Sequence, residues 1–379
     1  MKSNYDVLGN YIRLIDTRNK DKVTNKVMGI NIDKFFMPSV ANVIGTDLSK
    51  YKLITKGKFA CNPMHVGRDE RLPVALYEEV EPALVSPAYF MFEIIDNTVL
   101  DENYLMMWFR RAEFDRICWL HTDSSVRGGI TWDDICRMEI PVPDIGQQRK
   151  IVEEYKIVEE RIILKRKIND NLTEQMVNIQ KELFPLSEDK DENATLFEYC
   201  EKIYSGGTPS TTEDSYWNGE YFWLSSGETS QSYITNTEKT ITLEGINNSS
   251  TKLAEKGSIV IASAGQGLTR GQTSLLFVDT YVNQSVVVIK PKPNLSGLLY
   301  SNLKGRYNEM RVLSDLDSIR GSLTTKTVSS LPVCFPNADI AKSFSCYCGQ
   351  LFRVIYNNLQ EIDTLNTLKA TIISSILSR

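Results

Sequence analysis

Apolar residues follow two different periods along this chain. In two segments they recur every three or four residues for close to forty positions. Alternating steps of four and three from Ile151 land on Ile151, Tyr155, Val158, Ile162, Lys165, Asn169, Leu172, Met176, Ile179 and Leu183, and eight of these ten are apolar. The same stepping from Phe344 gives Phe344, Cys348, Leu351, Ile355, Asn358, Ile362, Leu365, Lys369, Ile372 and Ile376, again eight of ten. Each seam predicts one long helix, over residues 144–185 and 338–379, with Pro185 stopping the first. At 1.5 Å per residue, ~38 residues span roughly 57 Å. No globular core needs that length, so the helices are expected to pair as spacers rather than pack on their own domains. The polar members Lys165, Asn169, Asn358 and Lys369 are candidates to fix the register.

Outside the helices the period shortens. Strand-like runs sit at 57–62, 87–95, 257–263, 273–278 and 284–290, and helix-like runs at 103–118 and 297–313. These segments repeat. GKFACN (57–62) matches GSIVIA (257–262), and VSPAYFMFE (85–93) falls opposite VNQSVVVIK (282–290). The sharpest pair is SVRGGITWDDICRMEIPVP (125–143) against SIRGSLTTKTVSSLPVCFP (318–336), with Arg127 answering Arg320 and Pro143 answering Pro336. The offsets are 193, 197 and 200, a repeat carrying insertions and deletions. The layout is therefore an α+β domain at 1–143, a central spacer helix at 144–185, a charged linker and second α+β domain at 186–337, and a C-terminal spacer helix at 338–379.

Composition excludes more than it selects. The chain has 379 residues, 42% hydrophobic and 24% charged, with a net charge of −5, an ordinary globular mix. No run of 18 apolar residues and no signal-like start is present, so a cytoplasmic protein without membrane contact is expected. Seven scattered cysteines read as reduced thiols. With only His65 and His121 as histidines, no metal site can be assembled. NPMH (62–65) lacks the second Pro and the aromatic of an amino-methyltransferase tetrapeptide. AGQGLTRG (264–271) misses both phosphate-loop spacings and reads as a flexible turn. Pro143, Asp144, Glu188 and Lys190 imitate a nuclease pattern, but the long helix separates them. No Gly-x-Ser-x-Gly elbow occurs. Together these absences argue for a binding or scaffolding chain with no cofactor.

The most specific string is YSGGTPSTTEDSYWNGEYFWLSSGE (204–228). With the repeat and the long helices, it resembles the specificity (S) subunit of type I restriction–modification systems. The match rests on Gly207, Thr208, Pro209, Ser210, Tyr216, Trp217 and Trp223, and on Pro143, Gln148 and Ile151 at the first helix start, where Gln147 replaces the family's Glu. The first domain lacks the Gly-Thr-Pro-Ser opening, and no Glu-Gln follows Pro336. The resemblance implies two target-recognition domains separated by two long helices paired as an antiparallel coiled coil. It implies a non-catalytic chain that reads a bipartite site on double-stranded DNA and docks two adenine-methyltransferase (M) subunits. It leaves open whether translocating restriction (R) subunits join. A two-subunit system cutting both sides of its site, or a coiled-coil adaptor without a nucleic-acid role, are the alternatives.

Charge does not point to a tight autonomous DNA binder. Net charge is −2 over residues 1–140, −3 over 141–194, −1 over 195–336 and +1 over 337–379. Specification within a complex fits this better, since phosphate affinity needs a one-sided or borrowed positive field. Candidate readers are polar or cationic residues on turns, because Arg pairs with guanine and Asn or Gln with adenine. In the first domain they are Asn62, His65, Arg68, Arg71 and Arg127. In the second they are Thr208, Ser210, Thr211, Gln266, Thr269, Arg270, Gln284 and Arg320. Tyr216 and Trp217 are expected in the core rather than on bases.

Overall fold

The computed structural model describes residues 5–40, 45–64, 66–122, 128–187, 193–265, 267–317 and 322–375. The chain divides into two units, Met1–Ile162 with Asp363–Arg379, and Ile163–Ile362. In the first, strands β1 (Ile12–Ile15), β2 (Phe59–Cys61), β3 (Val74–Leu76) and β4 (Phe90–Ile94) form an antiparallel sheet in the order β1-β4-β2-β3. Gly57 leads into β2 at φ +80°, a left-handed conformation that favours glycine, and its amide donates to Tyr77 O at 2.9 Å. Two helices follow, α1 (Glu102–Phe109) and α2 (Ala112–Leu120). The Asp101 carboxylate caps α1 by accepting from the Asn103 and Tyr104 amides.

The run 103–118, read from sequence as one helix, is thus two. Arg111 is extended (φ −78°, ψ 143°) and turns the chain. The turn lets Trp108, Phe109 and Phe114 reach one aromatic cluster with Phe59 and Phe92. Strand Tyr5–Val7 pairs with Glu139–Pro141, clipping the beginning of the globular block to its end.

The second unit repeats this plan with its own additions. Strands β5 (Cys200–Ser205), β6 (Tyr233–Ile234), β7 (Ile259–Ala262), β8 (Thr273–Leu276) and β9 (Val286–Pro291) lie in the order β5-β9-β7-β8-β6. The repeat extends to register. Phe59 pairs with Phe92 and Leu76, and Ile259 pairs with Ile289 and Leu275. Gly257 adopts φ +85° and donates to Leu276 O at 2.8 Å, as Gly57 does in its own unit. Ala194–Thr195 pairs with Pro332–Val333, a counterpart of the first clip. Helices α3 (Ser296–Lys304) and α4 (Tyr307–Asp317) follow β9, so the run 297–313 is also two helices rather than one. Gly305 makes that corner, where a Cβ would stand 2.8 Å from Val177 Cγ1. A second sheet of Trp217–Leu224, Lys239–Ile241, Lys252–Ala254 and Thr280–Val282 completes this unit. Among the described residues, the first unit has in its place the pair Lys52–Ile54 with Ala83–Val85, plus a hairpin of Met28–Ile30 and Phe36–Pro38.

Both long helices form, the central one over Ile145–Leu183 and the C-terminal one over Ala338–Ser375. Each starts on an Asx cap directly after a Pro. Asp144 Oδ1 accepts from Gly146 and Gln147, and Asn337 Oδ1 accepts from Asp339 and Ile340. Within the first unit they run antiparallel, with Lys369 Nζ 2.7 Å from Glu159 Oε1 and 5.0 Å above the Tyr155 ring. Within the second they do so again. There Asn358 Nδ2 donates to Asn169 Oδ1 at 2.7 Å, while Lys165 donates to Asn358 Oδ1 and meets Glu361. The seam also belongs to the globular cores, which corrects the either-or reading. Ile151, Val152 and Tyr155 sit in the first unit's core, and Met176, Phe344, Cys348 and Ile355 in the second's. Leu183, the last seam position, is exposed, and Phe184 takes the buried place beside Phe335 and Phe344. Ile376 lies outside the described residues.

Candidate nucleic-acid interface

In the second unit three loops come together around the end of β7. The first leaves β5 as Gly206-Gly207-Thr208-Pro209-Ser210. A Cβ at Gly206 would stand 2.0 Å from Val282 O, and one at Gly207 2.0 Å from Ser250 Oγ, so only glycine lets this loop lie against the sheet. Two tryptophans hold it. Trp223 Nε1 donates to Gly207 O at 3.3 Å and Trp217 Nε1 to Ser210 O at 2.9 Å, the rings meeting edge to face at 5.1 Å. Trp223 is buried, whereas Tyr216 and Trp217 are half-buried. Thr208 Oγ1 donates to Gln284 Oε1 at 2.5 Å, which joins the first loop to the one preceding β9. The Ser210 hydroxyl pairs with Thr212, and Thr211 is exposed.

The third loop is the Gly-rich segment between β7 and β8. The Ser263 amide donates to Ser285 O and the Leu323 amide to Ser263 O, at 2.9 and 2.8 Å. Gly265, Gly267 and Gly271 adopt φ of +146°, +59° and +86°. Sequence reading made this a flexible turn, but helix α4 fastens it. Tyr307 Oη donates to Leu268 O at 2.9 Å, Arg311 Nη1 to Gly267 O at 2.8 Å, and Arg270 pairs with Asp315. The Arg270 side chain is 11% exposed and its Nη2 faces Asp315, while its buried Nε has no hydrogen-bond partner among the described residues. Thr269 lies against Gly265. Gln266 and Arg320 lie outside the described residues.

The first unit builds a related corner at the end of β2. The Asn62 amide donates to Pro73 O, and its side chain accepts from the Met64 amide. The Ile130 amide donates to Pro63 O at 3.1 Å, as Leu323 does to Ser263 in the second unit. Arg68, on the short helix Val66–Asp69, pairs with Asp69, and Arg71 pairs with Asp33 at 3.1 Å. Asp115 of α2 accepts from the Leu72 amide and grips Lys34 Nζ at 2.8 Å through both oxygens. Burial pushes the Lys34 ammonium below the usual lysine range, against the attraction of Asp115. His65 and Arg127 lie outside the described residues.

Other residues take places that the sequence does not announce. Gln148, read as a motif match, is a buried clasp: it accepts from the Asp101 amide and donates to Val99 O and Pro143 O. Gln147, where the family pattern is broken, is exposed. Tyr307 and Arg311 were missed, although their spacing with Asp315 marks one face of a helix. Among the described residues, no group of three or more His, Cys, Asp or Glu could hold a metal, and no helix is long and apolar enough to cross a membrane.

Residues 189–377, half of the chain and all of the second unit's loop corner, match the type I restriction modification DNA specificity domain. The chain belongs to that specificity family. It is 26% identical over 212 residues to the specificity subunit of the Escherichia coli type I restriction enzyme EcoR124I/EcoR124II. That alignment takes 54% of this chain and spans about half, 52%, of the relative. In fold, the chain is similar to the crystal structure of a type I restriction–modification S subunit from M. genitalium. The TM-score is 0.54 at 13% identity, over 98% of this chain and 95% of that one. The specificity-family fold thus extends to the first unit, where the Gly-Thr-Pro-Ser opening is missing.

Proposed function

We propose that this chain is the DNA-reading subunit of a type I restriction–modification complex. It reads one half of a bipartite double-stranded site with each recognition corner and recruits adenine-methyltransferase (M) subunits. Those partners carry the cofactor and the chemistry, and this chain catalyses nothing. The observation that carries the reading is the repeat. Two units share strand order, register and a loop corner, and one of them falls within a DNA specificity domain. The loops offer hydroxyls, amides and guanidinium groups, the donors and acceptors that base edges need. Arg68 and Arg71 sit in exposed ion pairs, which are worth little and exchange readily for phosphate. With no strongly basic segment, the partners supply part of the phosphate affinity.

In this reading the helices set the length of unread DNA between the half-sites. Half-sites one turn of DNA apart, ~34–36 Å between centres, match readers of this kind. Inserting four residues near Leu172 adds ~6 Å of helical rise and should lengthen the unread DNA between half-sites by one or two base pairs. The main test exchanges residues 195–336 for those of a relative and reads the methylated motif by sequencing. One half of the motif should change while the other half and the spacing persist. Change in both halves, or methyl transfer by the purified chain alone, would overturn the reading.

A further inference from the structure

Helix α4 bears a polar stripe with a single target. Tyr307, Arg311 and Asp315 are spaced by four and lie on one face. In that order they engage Leu268 O, Gly267 O and the Arg270 side chain, three consecutive tethers onto one loop. The helix is itself anchored, with Met310 and Ser314 fully buried and Met310 against Gly271. The tethered loop has three glycines in left-handed conformations, the composition of a segment that would sample many shapes if released. Its tip is open, with Leu268 75% exposed. The first unit couples the same parts by other residues, since Asp115 on α2 accepts from the Leu72 amide of its β2–β3 loop.

We propose that Tyr307 and Arg311 are positioning residues for base readout. They touch no base. They hold the carbonyls of Gly267 and Leu268 so that the loop meets DNA already shaped, avoiding the loss of freedom that ordering at binding would impose. Arg270 is then a strut of this loop rather than a reader, and selectivity in the second half-site depends on α4. The inference rests on the proposed function and adds to it the origin of that half-site's selectivity.

The test uses the full chain assembled with its methyltransferase subunits, and the probe is DNA carrying the wild-type methylated motif and its single-base variants. Tyr307→Phe removes one hydroxyl, and Arg311→Met removes the guanidinium while keeping its stem. Both should lower discrimination in the half-site read by residues 195–336 by roughly tenfold, the size of one lost base contact. The other half-site and the thermal midpoint should not change, and Arg311→Lys should restore discrimination in part. Unaltered discrimination in both variants, or equal relaxation in both halves, overturns the proposal. A wild-type complex that methylates without a bipartite motif instead overturns the proposed function, before any variant is compared.

Discussion

The amide pair in the helix seam permits a quantitative test. Asn169 and Asn358 are both about 5% exposed, and their side chains face each other at 2.7 Å. Replacing Asn358 with Leu strands the Asn169 carbonyl in an apolar seam, a loss of about 1–3 kcal/mol. The new side chain recovers about 1–2 kcal/mol by burying carbon. Lys165 keeps Glu361 at 2.8 Å, so its charge is not orphaned. The single variant should therefore be destabilised by about 1 kcal/mol, and Asn169→Leu likewise. In the double variant no buried amide is left unpaired and two leucines pack, so it should equal or exceed the wild type. The coupling energy of the cycle should be about 1–3 kcal/mol. Native-state hydrogen exchange of amides 165–177 reads this directly, since about 1.4 kcal/mol is a tenfold change in protection. Two slow singles, or a double as fast as the faster single, would refute the argument.

Other positions offer sharper contrasts. Gly206→Ala puts a Cβ 2.0 Å from Val282 O, so it should cost about 1–3 kcal/mol and weaken readout of the second half-site, measured by unfolding and by motif sequencing. Gln148→Leu removes three buried hydrogen bonds, a loss of roughly 3 kcal/mol seen as a lower denaturation midpoint of the first unit. Lys304 is half-buried with its Nζ donating to Thr273 O, and burial lowers its pKa to about 8, with Asp170 opposing. The unfolded chain binds this proton more tightly, so stability should rise as pH climbs from about 8 towards the ordinary lysine value and be flat below it. Lys304→Met should abolish that rise, up to about 3 kcal/mol, in denaturation followed across that range.

The architecture was legible wherever one residue's neighbours in sequence decide its place. Alternating four-three steps found both helices, and Lys165, Asn169, Asn358 and Lys369 do make the cross-helix contacts. Offsets of 200 and 197 between the repeats reappear as the strand pairings of Phe59 and Phe92 with Ile259 and Ile289. The helix corners at Arg111 and Gly305 were not legible, because residues distant in sequence pack against them, the Phe59 and Phe92 rings in one case and Val177 in the other. The fastening of the Gly-rich loop was not legible for a similar reason. Glycines signal conformational freedom, while the side chains that remove it stand some forty residues further on.

The two indoles on the Gly-Thr-Pro loop also give the molecule a built-in optical gauge. Of the five tryptophans, Trp108, Trp119 and Trp132 belong to the first globular block, and only Trp217 and Trp223 to the second. They meet at 5.1 Å and 88°, with the Lys239 ammonium 5.5 Å from the Trp217 ring centre. Chromophores this close share their excitation, so the pair should give a signed couplet in circular dichroism that depends on its angle. Because each indole N–H is fastened to a carbonyl of the loop, any displacement of Gly207 or Ser210 turns a ring. Movement of that loop on meeting DNA is therefore visible without a label, in a spectral band to which, among the described residues, the first block contributes no such pair.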